Sequence, residues 1–306
     1  YRFHTDVVGD GRLTAGVWHG DLVLKGFGDP TLTTDKLALL VRRVLALGIH
    51  AVDGRIVGGE TWFDTERTAP GWKSSFYVLE CPPLSALTVD RDWYDNHYAV
   101  KPALAAAGTF KRLLREHGVS SGRAVVGKAP ADATVLATVR SRTLLYVLRE
   151  MDHQSDNFIA EVLLKELGAE KGTDGTSDAG AAVVRRDLTA AGIPLTGVVL
   201  RDGSGLSLDD RITAAALAAL LVHIWSDETL RGELWGMLPV AGVNGTLVRR
   251  MRDTVAQGQV RAKTGTTDEA SALSGYAGGR YAFAVIQNGA PVSCYAAREA
   301  QDRFAT

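Results

Sequence analysis

Two short runs of polar residues carry side chains that could act together in acyl transfer. The first is Ser155-Asp156-Asn157, at the start of a predicted amphipathic helix, and the second is Lys263-Thr264-Gly265, on a predicted strand. Acyl transfer from a peptide that ends in a free carboxylate needs an activated serine and an oxyanion hole. It also needs a proton donor for the leaving amine and a cation for the carboxylate. The two runs contain residue types suited to several of these tasks.

Ser155, Asn157 and Lys263 are the candidate catalytic residues. A serine hydroxyl can pass a proton between a neighbouring lysine and a leaving nitrogen, which is the role open to Ser155. The amide of Asn157 has donors and an acceptor, so it can hold a substrate amide and orient a lysine. Lys263 supplies positive charge, because an unperturbed lysine side chain has a pKa of about 10.4 and is cationic at neutral pH.

Thr264, Gly265 and Thr266 are the candidate substrate-binding residues. Gly265 carries no side chain, which leaves room for a substrate backbone to lie along an edge strand. The hydroxyls of Thr264 and Thr266 can donate to a carboxylate, and the backbone N–H of Thr266 could serve in the oxyanion hole.

Each run taken alone also has an ordinary structural interpretation. Ser155 could be a helix N-cap, whose hydroxyl accepts from a free backbone N–H, and Lys263 could be an exposed lysine on a strand. The occurrence of both runs, in this order and in these settings, favours the functional interpretation. Together with Ser-x-x-Lys, the sequences Ser-Asp-Asn and Lys-Thr-Gly form the motif set of class A β-lactamases and penicillin-binding proteins.

Hydrophobic periodicity predicts the elements that position these residues. The first third of the chain is predicted to be mixed α/β, with a helix that Thr34 or Asp35 caps and Gly48 ends. Predicted helices then span 103–117, 143–151, 155–167, 177–191, 213–225, 230–237 and 296–304. Predicted strands span 260–264, 270–276 and 281–287. Because the strands gather at the two chain ends with helices between them, we expect an α+β fold with one antiparallel sheet flanked by helices.

The sequence resembles the class C low-molecular-mass penicillin-binding proteins, the D-alanyl-D-alanine carboxypeptidase/endopeptidase family. The resemblance extends from about Tyr1 to Tyr276 and includes the two runs above. Further family-like segments are Gly28-Asp29-Pro30-Thr31-Leu32, Ala69-Pro70-Gly71-Trp72, Pro82-Pro83-Leu84-Ser85-Ala86-Leu87, Val89-Asp90-Arg91, Asp202-Gly203-Ser204-Gly205-Leu206-Ser207, Leu238-Pro239-Val240-Ala241-Gly242, Gly245-Thr246-Leu247 and Leu273-Ser274-Gly275-Tyr276.

The resemblance implies a serine β-lactamase/transpeptidase-like domain, which we predict to be formed by residues 1–10 and 127–306. A mixed α/β region, 11–126, would be inserted into it. It also implies cleavage of D-Ala-D-Ala in peptidoglycan stem peptides through an acyl-enzyme, and acylation by β-lactam antibiotics. Because that substrate lies in the cell wall, the resemblance implies a location outside the cytoplasm.

The family's Ser-x-x-Lys motif, which supplies the nucleophilic serine and the general-base lysine, does not occur in these 306 residues. Thr33-Thr34-Asp35-Lys36 has the spacing, but we interpret it as a helix cap. Because the chain opens inside a predicted strand without an initiator Met, we expect that an upstream segment carries the motif. The nucleophile is therefore unknown. The short passage from Arg91 to Lys101 indicates either a smaller insertion than in larger family members or residues that are missing there.

Composition excludes several other classes of protein. The chain has 34 Lys and Arg against 35 Asp and Glu, a net charge of −1, which gives no field to hold a polyanion, so nucleic acid is not an expected partner. It has no uninterrupted run of about eighteen apolar residues, so no transmembrane helix is predicted. With no CxxC pair, His/Cys cluster or HExxH motif, we expect neither a metal site nor a cofactor.

Two alternative functions remain open from the sequence. A non-catalytic cell-wall-binding protein that has lost its serine would keep the other motifs, and the residues upstream of Tyr1 would distinguish it. A serine β-lactamase shares the motifs but usually lacks so large an insertion, and it would turn penicillin over rapidly.

Overall fold

A computed structural model describes residues 1–94 and 96–306, which are mixed α+β as predicted. The chain divides into two compact units. The first contains Tyr1–Leu144 and Glu161–Gly180, and the second contains Leu145–Ala160 and Ala181–Thr306. Within the described residues, no helix combines the length and the apolar character that crossing a bilayer requires. The boundaries predicted for the inserted region, 11–126, remain a prediction.

The first unit is organised around a five-stranded mixed sheet. The strands of the whole unit are β1 (His4–Gly9), β2 (Arg12–Thr14), β3 (Val17–His19), β4 (Leu22–Gly26), β5 (Ala51–Val52), β6 (Ile56–Gly59), β7 (Trp93–Tyr94), β8 (His97–Tyr98), β9 (Ala124–Val126) and β10 (Thr134–Arg140). The large sheet has the order β10-β1-β4-β6-β9. β1 is antiparallel to β10 and β4, whereas β4, β6 and β9 are parallel. Helical crossovers make the parallel pairs possible, because parallel neighbours cannot be joined by a tight turn.

Two of the helices in the first unit, α1 (Thr34–Ala46) and α3 (Pro102–Glu116), cover this sheet; a short helical turn, α2, spans Phe76–Leu79. The predicted apolar stripe of α1 is confirmed, since its members Leu37, Leu40, Val41 and Val44 are buried. The predicted cap is displaced by one residue. The side chain of Thr33, not of Thr34 or Asp35, accepts from the Lys36 N–H at 3.4 Å.

The second unit contains a three-stranded antiparallel sheet with helices packed against it. The strands are β11 (Val260–Thr266), β12 (Ala270–Ala277) and β13 (Tyr281–Asn288), in that spatial order. Its helices are α4 (Leu144–Gln154), α7 (Ala214–Ser226), α8 (Glu228–Met237) and α9 (Cys294–Ala305). Two more helices, α5 (Asn157–Lys171) and α6 (Ser177–Ala190), have residues assigned to each of the two units. Leu247, Ala262 and Leu273, all fully buried, lie at the centre of a core beneath the sheet.

The expectation that strands from both chain ends share one sheet is wrong. β1 lies in the five-stranded sheet of the first unit, and β11, β12 and β13 form a sheet of their own. Five of the six residues of β1 are buried, and its neighbours are β4 and β10. Alternation of apolar residues predicts a strand but not its partners, because partner choice depends on packing far away along the chain.

Candidate active site

Ser155 lies in a tight junction between α4 and α5. Its backbone φ of +54° is left-handed, a conformation that costs a non-glycine residue roughly 1–2 kcal/mol. The Asp156 N–H donates to the Met151 carbonyl at 2.9 Å, and Asp156 Oδ1 accepts from the Ile159 N–H at 3.0 Å. Asp156 therefore caps α5, and the interpretation of Ser155 as an ordinary N-cap is wrong. The Ser155 hydroxyl is left available for another partner.

β11 is the edge strand that carries Lys263, Thr264, Gly265 and Thr266, as predicted. One edge pairs with β12, with Lys263 opposite Ser274. Among the described residues, backbone hydrogen bonds cover the other edge only over its first half, where the Ala262 N–H donates to the Pro239 carbonyl at 3.0 Å. Because backbone groups alternate along a strand, the N–H groups of Thr264 and Thr266 point to that same outer side.

Lys263 and Ser155, 108 residues apart in sequence, are hydrogen-bonded. Lys263 Nζ donates to Ser155 Oγ at 2.7 Å and to the backbone carbonyl of Thr264 at 2.7 Å. The two predicted runs therefore meet within the second unit. Asn157 follows as the first residue of α5 and is half-buried. The structure brings these residues together, and their catalytic roles remain predictions.

Asp152 is a site residue that the sequence did not reveal. It lies on α4, one helical turn before Ser155, and only 8 % of it is exposed. Burial raises the pKa of Asp152 to about 6, and the positive charge of Lys263 opposes that rise. Burial lowers the pKa of Lys263, and Asp152 opposes that fall. The sequence does not indicate that Asp152 is buried, because an acidic residue on a helix is usually solvated.

Gly265 faces open space on the outer part of β11. A Cβ added there would meet only the Ala272 Cβ, at 3.9 Å. Packing within the fold therefore does not require glycine at this position, whereas a ligand that lies along the strand would. Gly265 and Thr266 are both exposed.

Thr246 is a second site residue without a predicted role, although its segment was family-like. Thr264 Oγ1 and Thr246 Oγ1 are 2.9 Å apart, within hydrogen-bond distance. Thr246 lies in a 3₁₀ turn, Gly245–Leu247. The Thr-x-x-Lys spacing at Thr33 is a helix cap, as predicted, and Lys36 Nζ donates to Asp29 Oδ2 at 3.2 Å.

The described residues contain no group of three or more His, Cys, Asp or Glu side chains that could hold a metal ion. The site is instead built from hydroxyls, a side-chain amide, an ammonium group and a strand edge. A Ser-Asp-Asn junction hydrogen-bonded to a Lys-Thr-Gly edge strand in an α+β fold is typical of the class of proteins that comprises penicillin-binding proteins and serine β-lactamases.

The chain belongs to the D-Ala-D-Ala carboxypeptidase 3 (S13) family, whose model matches residues 1–101 and 96–306. This confirms the resemblance to class C low-molecular-mass penicillin-binding proteins. The chain is 32 % identical to the D-alanyl-D-alanine carboxypeptidase of Actinomadura sp., over 88 % of this chain and 66 % of that protein. It is 30 % identical to carboxypeptidase DacB of Mycolicibacterium smegmatis, over 92 % of this chain and 67 % of that protein.

The fold is similar to the crystal structure of penicillin binding protein 4 (dacB) from Haemophilus influenzae. The TM-score is 0.88 at 21 % identity, and the match covers 100 % of this chain and 86 % of the other. The same protein complexed with a β-lactam gives a TM-score of 0.82 at 21 % identity and the same coverage. The likeness confirms the predicted transpeptidase-like fold class.

The comparisons also bear on the short passage between Arg91 and Lys101. The chain spans about two thirds of the length of these two curated relatives. The alignment with the Actinomadura protein extends over 356 positions, more than the 306 residues of this chain. The two stretches matched by the family model overlap at residues 96–101. The alignment with the Actinomadura protein therefore contains positions that have no counterpart here, and the match to the family model divides at the passage that the sequence indicated.

Proposed function

We propose that the protein is a serine-type DD-carboxypeptidase or DD-endopeptidase, which cleaves D-Ala-containing stem peptides of peptidoglycan through an acyl-enzyme and is acylated by β-lactams. The observation that carries this proposal is the 2.7 Å contact between Lys263 Nζ and Ser155 Oγ, beside the uncovered half of an edge strand. Family membership and the likeness to a protein that forms a complex with a β-lactam support it.

The outer edge of β11 is suited to bind the peptide. A substrate strand that runs along Lys263–Thr266 would accept from the outward N–H groups of Thr264 and Thr266, as in strand addition. Gly265 leaves space for that strand, because among the described residues other than its chain neighbours an added Cβ would have only the Ala272 Cβ within 4 Å. The Thr264 and Thr266 hydroxyls would donate to the terminal carboxylate, and the Lys263 ammonium would attract its charge.

Ser155 is suited to move a proton toward the leaving nitrogen. Because the Lys263 ammonium donates to Ser155 Oγ, the proton of Ser155 itself is directed elsewhere, toward a bound substrate. In the proposed step a serine hydroxyl attacks the scissile carbonyl and the C–N bond breaks. The hydroxyl proton reaches the leaving amine through the base and Ser155, and water then hydrolyses the acyl-enzyme. Asn157 would hold the substrate amide.

No Ser-x-x-Lys occurs in the 306 residues, which therefore do not identify the nucleophile. A second candidate is a non-catalytic protein that has lost its serine and binds cell-wall peptides with the same strand edge. A serine β-lactamase would share the Lys263–Ser155 contact as well. Because peptidoglycan is outside the cytoplasm, we propose that the protein also acts outside the cytoplasm under any of these functions.

Covalent labelling of the full-length protein by a fluorescent penicillin tests the proposal. We expect a stable adduct in the wild type, and Lys263→Ala should slow its formation by about 10²-fold or more, since it removes the charge that faces the carboxylate. Lys263→Arg keeps a positive charge and is the matched control, with a smaller loss. If the wild type is never labelled, the proposed acyl-enzyme is contradicted and the non-catalytic binding protein is the remaining candidate. Rapid release of hydrolysed penicillin identifies a β-lactamase.

A further inference from the structure

We propose that Thr246 is a positioning residue that turns the Thr264 hydroxyl toward the carboxylate of the bound peptide. Thr246 would donate to Thr264 Oγ1, so that the single Thr264 proton is free for the ligand. The inference rests on the proposed function, because it needs a ligand with a terminal carboxylate at β11. It adds a residue that has no role in the motif set.

The two hydroxyls are close enough to share one hydrogen bond. Thr264 Oγ1 and Thr246 Oγ1 are 2.9 Å apart, and both residues are half-buried in the second unit. Each hydroxyl has one proton and can accept through its lone pairs, so the bond can run in either direction in the unbound protein. The direction of this bond decides whether Thr264 can donate its hydroxyl proton to a ligand.

A carboxylate fixes the direction. An ionised carboxylate only accepts hydrogen bonds, so Thr264 must donate its proton to it. The remaining bond between the threonines must then run from the Thr246 hydroxyl to Thr264 Oγ1. A hydroxyl whose oxygen accepts a bond is polarised and is a stronger donor, so the pair binds an anion better than Thr264 alone.

The backbone on both sides of Thr246 is closely packed. Gly245 has a φ of +54°, and a Cβ added to it would lie 2.9 Å from the Pro239 Cβ and 3.3 Å from the His153 Cα. Leu247 is fully buried, and its carbonyl accepts from the Gly242 N–H at 2.9 Å. The 3₁₀ turn is therefore tightly packed on both sides of Thr246.

The same segment ties the turn to β11. The Pro239 carbonyl accepts from the Ala262 N–H at 3.0 Å, and the Ala241 N–H donates to the Val260 carbonyl at 2.9 Å. Asn244 Oδ1 accepts from the Val240 N–H at 2.9 Å and stabilises the loop from Val240 to Asn244. Thr246 is thus connected to the strand that it serves by a short, hydrogen-bonded path.

The test compares Thr246→Val, which keeps the shape and removes the hydroxyl, with Thr246→Ser, which keeps the hydroxyl. In the full-length protein we measure the acylation rate with a penicillin and with its carboxylate methyl ester. We also measure equilibrium binding of a D-Ala-D-Ala peptide and of its C-terminal amide. We expect Thr246→Val to lose up to about tenfold with the two acids, the upper end of the range for one hydrogen bond between neutral groups. We expect little change with the ester and the amide, and recovery in Thr246→Ser.

Two outcomes overturn the inference. The first is equal losses of acid and neutral ligands in Thr246→Val, because a purely structural role would weaken both. The second is a wild type that does not prefer the acid peptide over the amide. If the wild type is not acylated but still prefers the acid, and Thr246→Val removes that preference, the proposed enzyme is wrong and the role of Thr246 stands. In a Thr264→Val background, Thr246→Val should have no further effect on the acids.

Discussion

The carboxyl group of Asp152 and the ammonium group of Lys263 act on each other's ionisation inside the second unit. The charge of Lys263 opposes the rise in the pKa of Asp152 that burial causes, and the charge of Asp152 opposes the fall in the pKa of Lys263. Each partner thus favours the charged form of the other, while loss of water favours both neutral forms. The lysine that contacts Ser155 is therefore coupled to an acid one helical turn before that serine.

We expect Asp152 to make the free energy of unfolding depend on pH between about 4 and 6. The folded-state pKa, about 6, is above the ordinary value for aspartate of about 3.9, so in this window the folded protein binds more protons than the unfolded chain. The stabilising contribution is therefore complete below about pH 4 and is lost as the pH rises through 6. Asp152→Asn should remove a slope of at most about 1.4 kcal/mol per pH unit.

Urea unfolding of the wild type and of Asp152→Asn, at steps from pH 4 to 7, measures this slope. The difference between the two proteins reports Asp152 together with its effect on Lys263, since the other titrating groups are common to both. A constant difference across the window would mean that the Asp152 carboxyl titrates alike in the folded and unfolded chains.

The left-handed backbone at Ser155 predicts that two variants without its hydroxyl lose activity alike but differ in stability. Ser155→Ala and Ser155→Gly both remove the hydroxyl that Lys263 contacts, so both should slow acylation by about 10²-fold or more. Only glycine relieves the strain at φ +54°. We expect Ser155→Gly to be more stable than Ser155→Ala by about 1 kcal/mol in urea unfolding. Equal stability of the two variants would show that the junction relaxes when the hydroxyl is lost.

Two glycines on adjacent strands, Gly265 on β11 and Gly275 on β12, distinguish space needed by a ligand from space needed for packing within the fold. Gly265→Ala should leave the free energy of unfolding within about 0.5 kcal/mol of the wild type, because the added methyl group meets only the Ala272 Cβ at 3.9 Å. It should slow acylation about tenfold, since the methyl group enters the space of the bound peptide. Normal acylation in this variant would mean that the peptide does not lie along that part of β11.

Gly275→Ala is the matched control on β12. A Cβ there would lie 2.1 Å from the Arg261 carbonyl oxygen and 2.6 Å from the Ala262 Cα. We expect it to destabilise the protein by about 2 kcal/mol or more, through overpacking of the sheet. Chemical denaturation should therefore show the larger change for Gly275→Ala, and the acylation rate should show the larger change for Gly265→Ala.

A buried ion pair supports α5 within the first unit. Lys165, with its side chain 1 % exposed, donates to Asp64 Oδ1 at 2.5 Å. Asp64→Ala leaves a buried ammonium group without its carboxylate and should cost about 3 kcal/mol or more. Lys165→Met should cost less, because Asp64 is 26 % exposed and retains water. Unfolding of the two variants measures the asymmetry, and a larger loss in Lys165→Met would contradict it.

Local pattern was sufficient for most elements of the second unit. Strands predicted at 260–264, 270–276 and 281–287 are observed as Val260–Thr266, Ala270–Ala277 and Tyr281–Asn288. Their alternating or apolar runs end at Gly-rich turns, and those signals are local. The helix predicted at 155–167 begins instead at Asn157, because Asp156 rather than Ser155 provides the cap.

The parts that the sequence did not predict depend on contacts far away along the chain. The membership of β1 in the five-stranded sheet follows from its pairing with β10, more than 100 residues later. Asp152 and Thr246 acquire their places only when β11 approaches α4 and the 3₁₀ turn. An acid on a helix and a threonine in a turn are common, so their types alone do not indicate a site.

The partial covering of β11 has a consequence for the behaviour of the protein in concentrated solution. An uncovered strand at a sheet margin is a template for self-association and aggregation. Here Pro239–Ala241 occupies the first half of that margin, and the remainder begins with a charged lysine. The remaining stretch is short and cationic, so we expect it to repel the same stretch on another copy, and under the proposed function to admit a small anionic peptide.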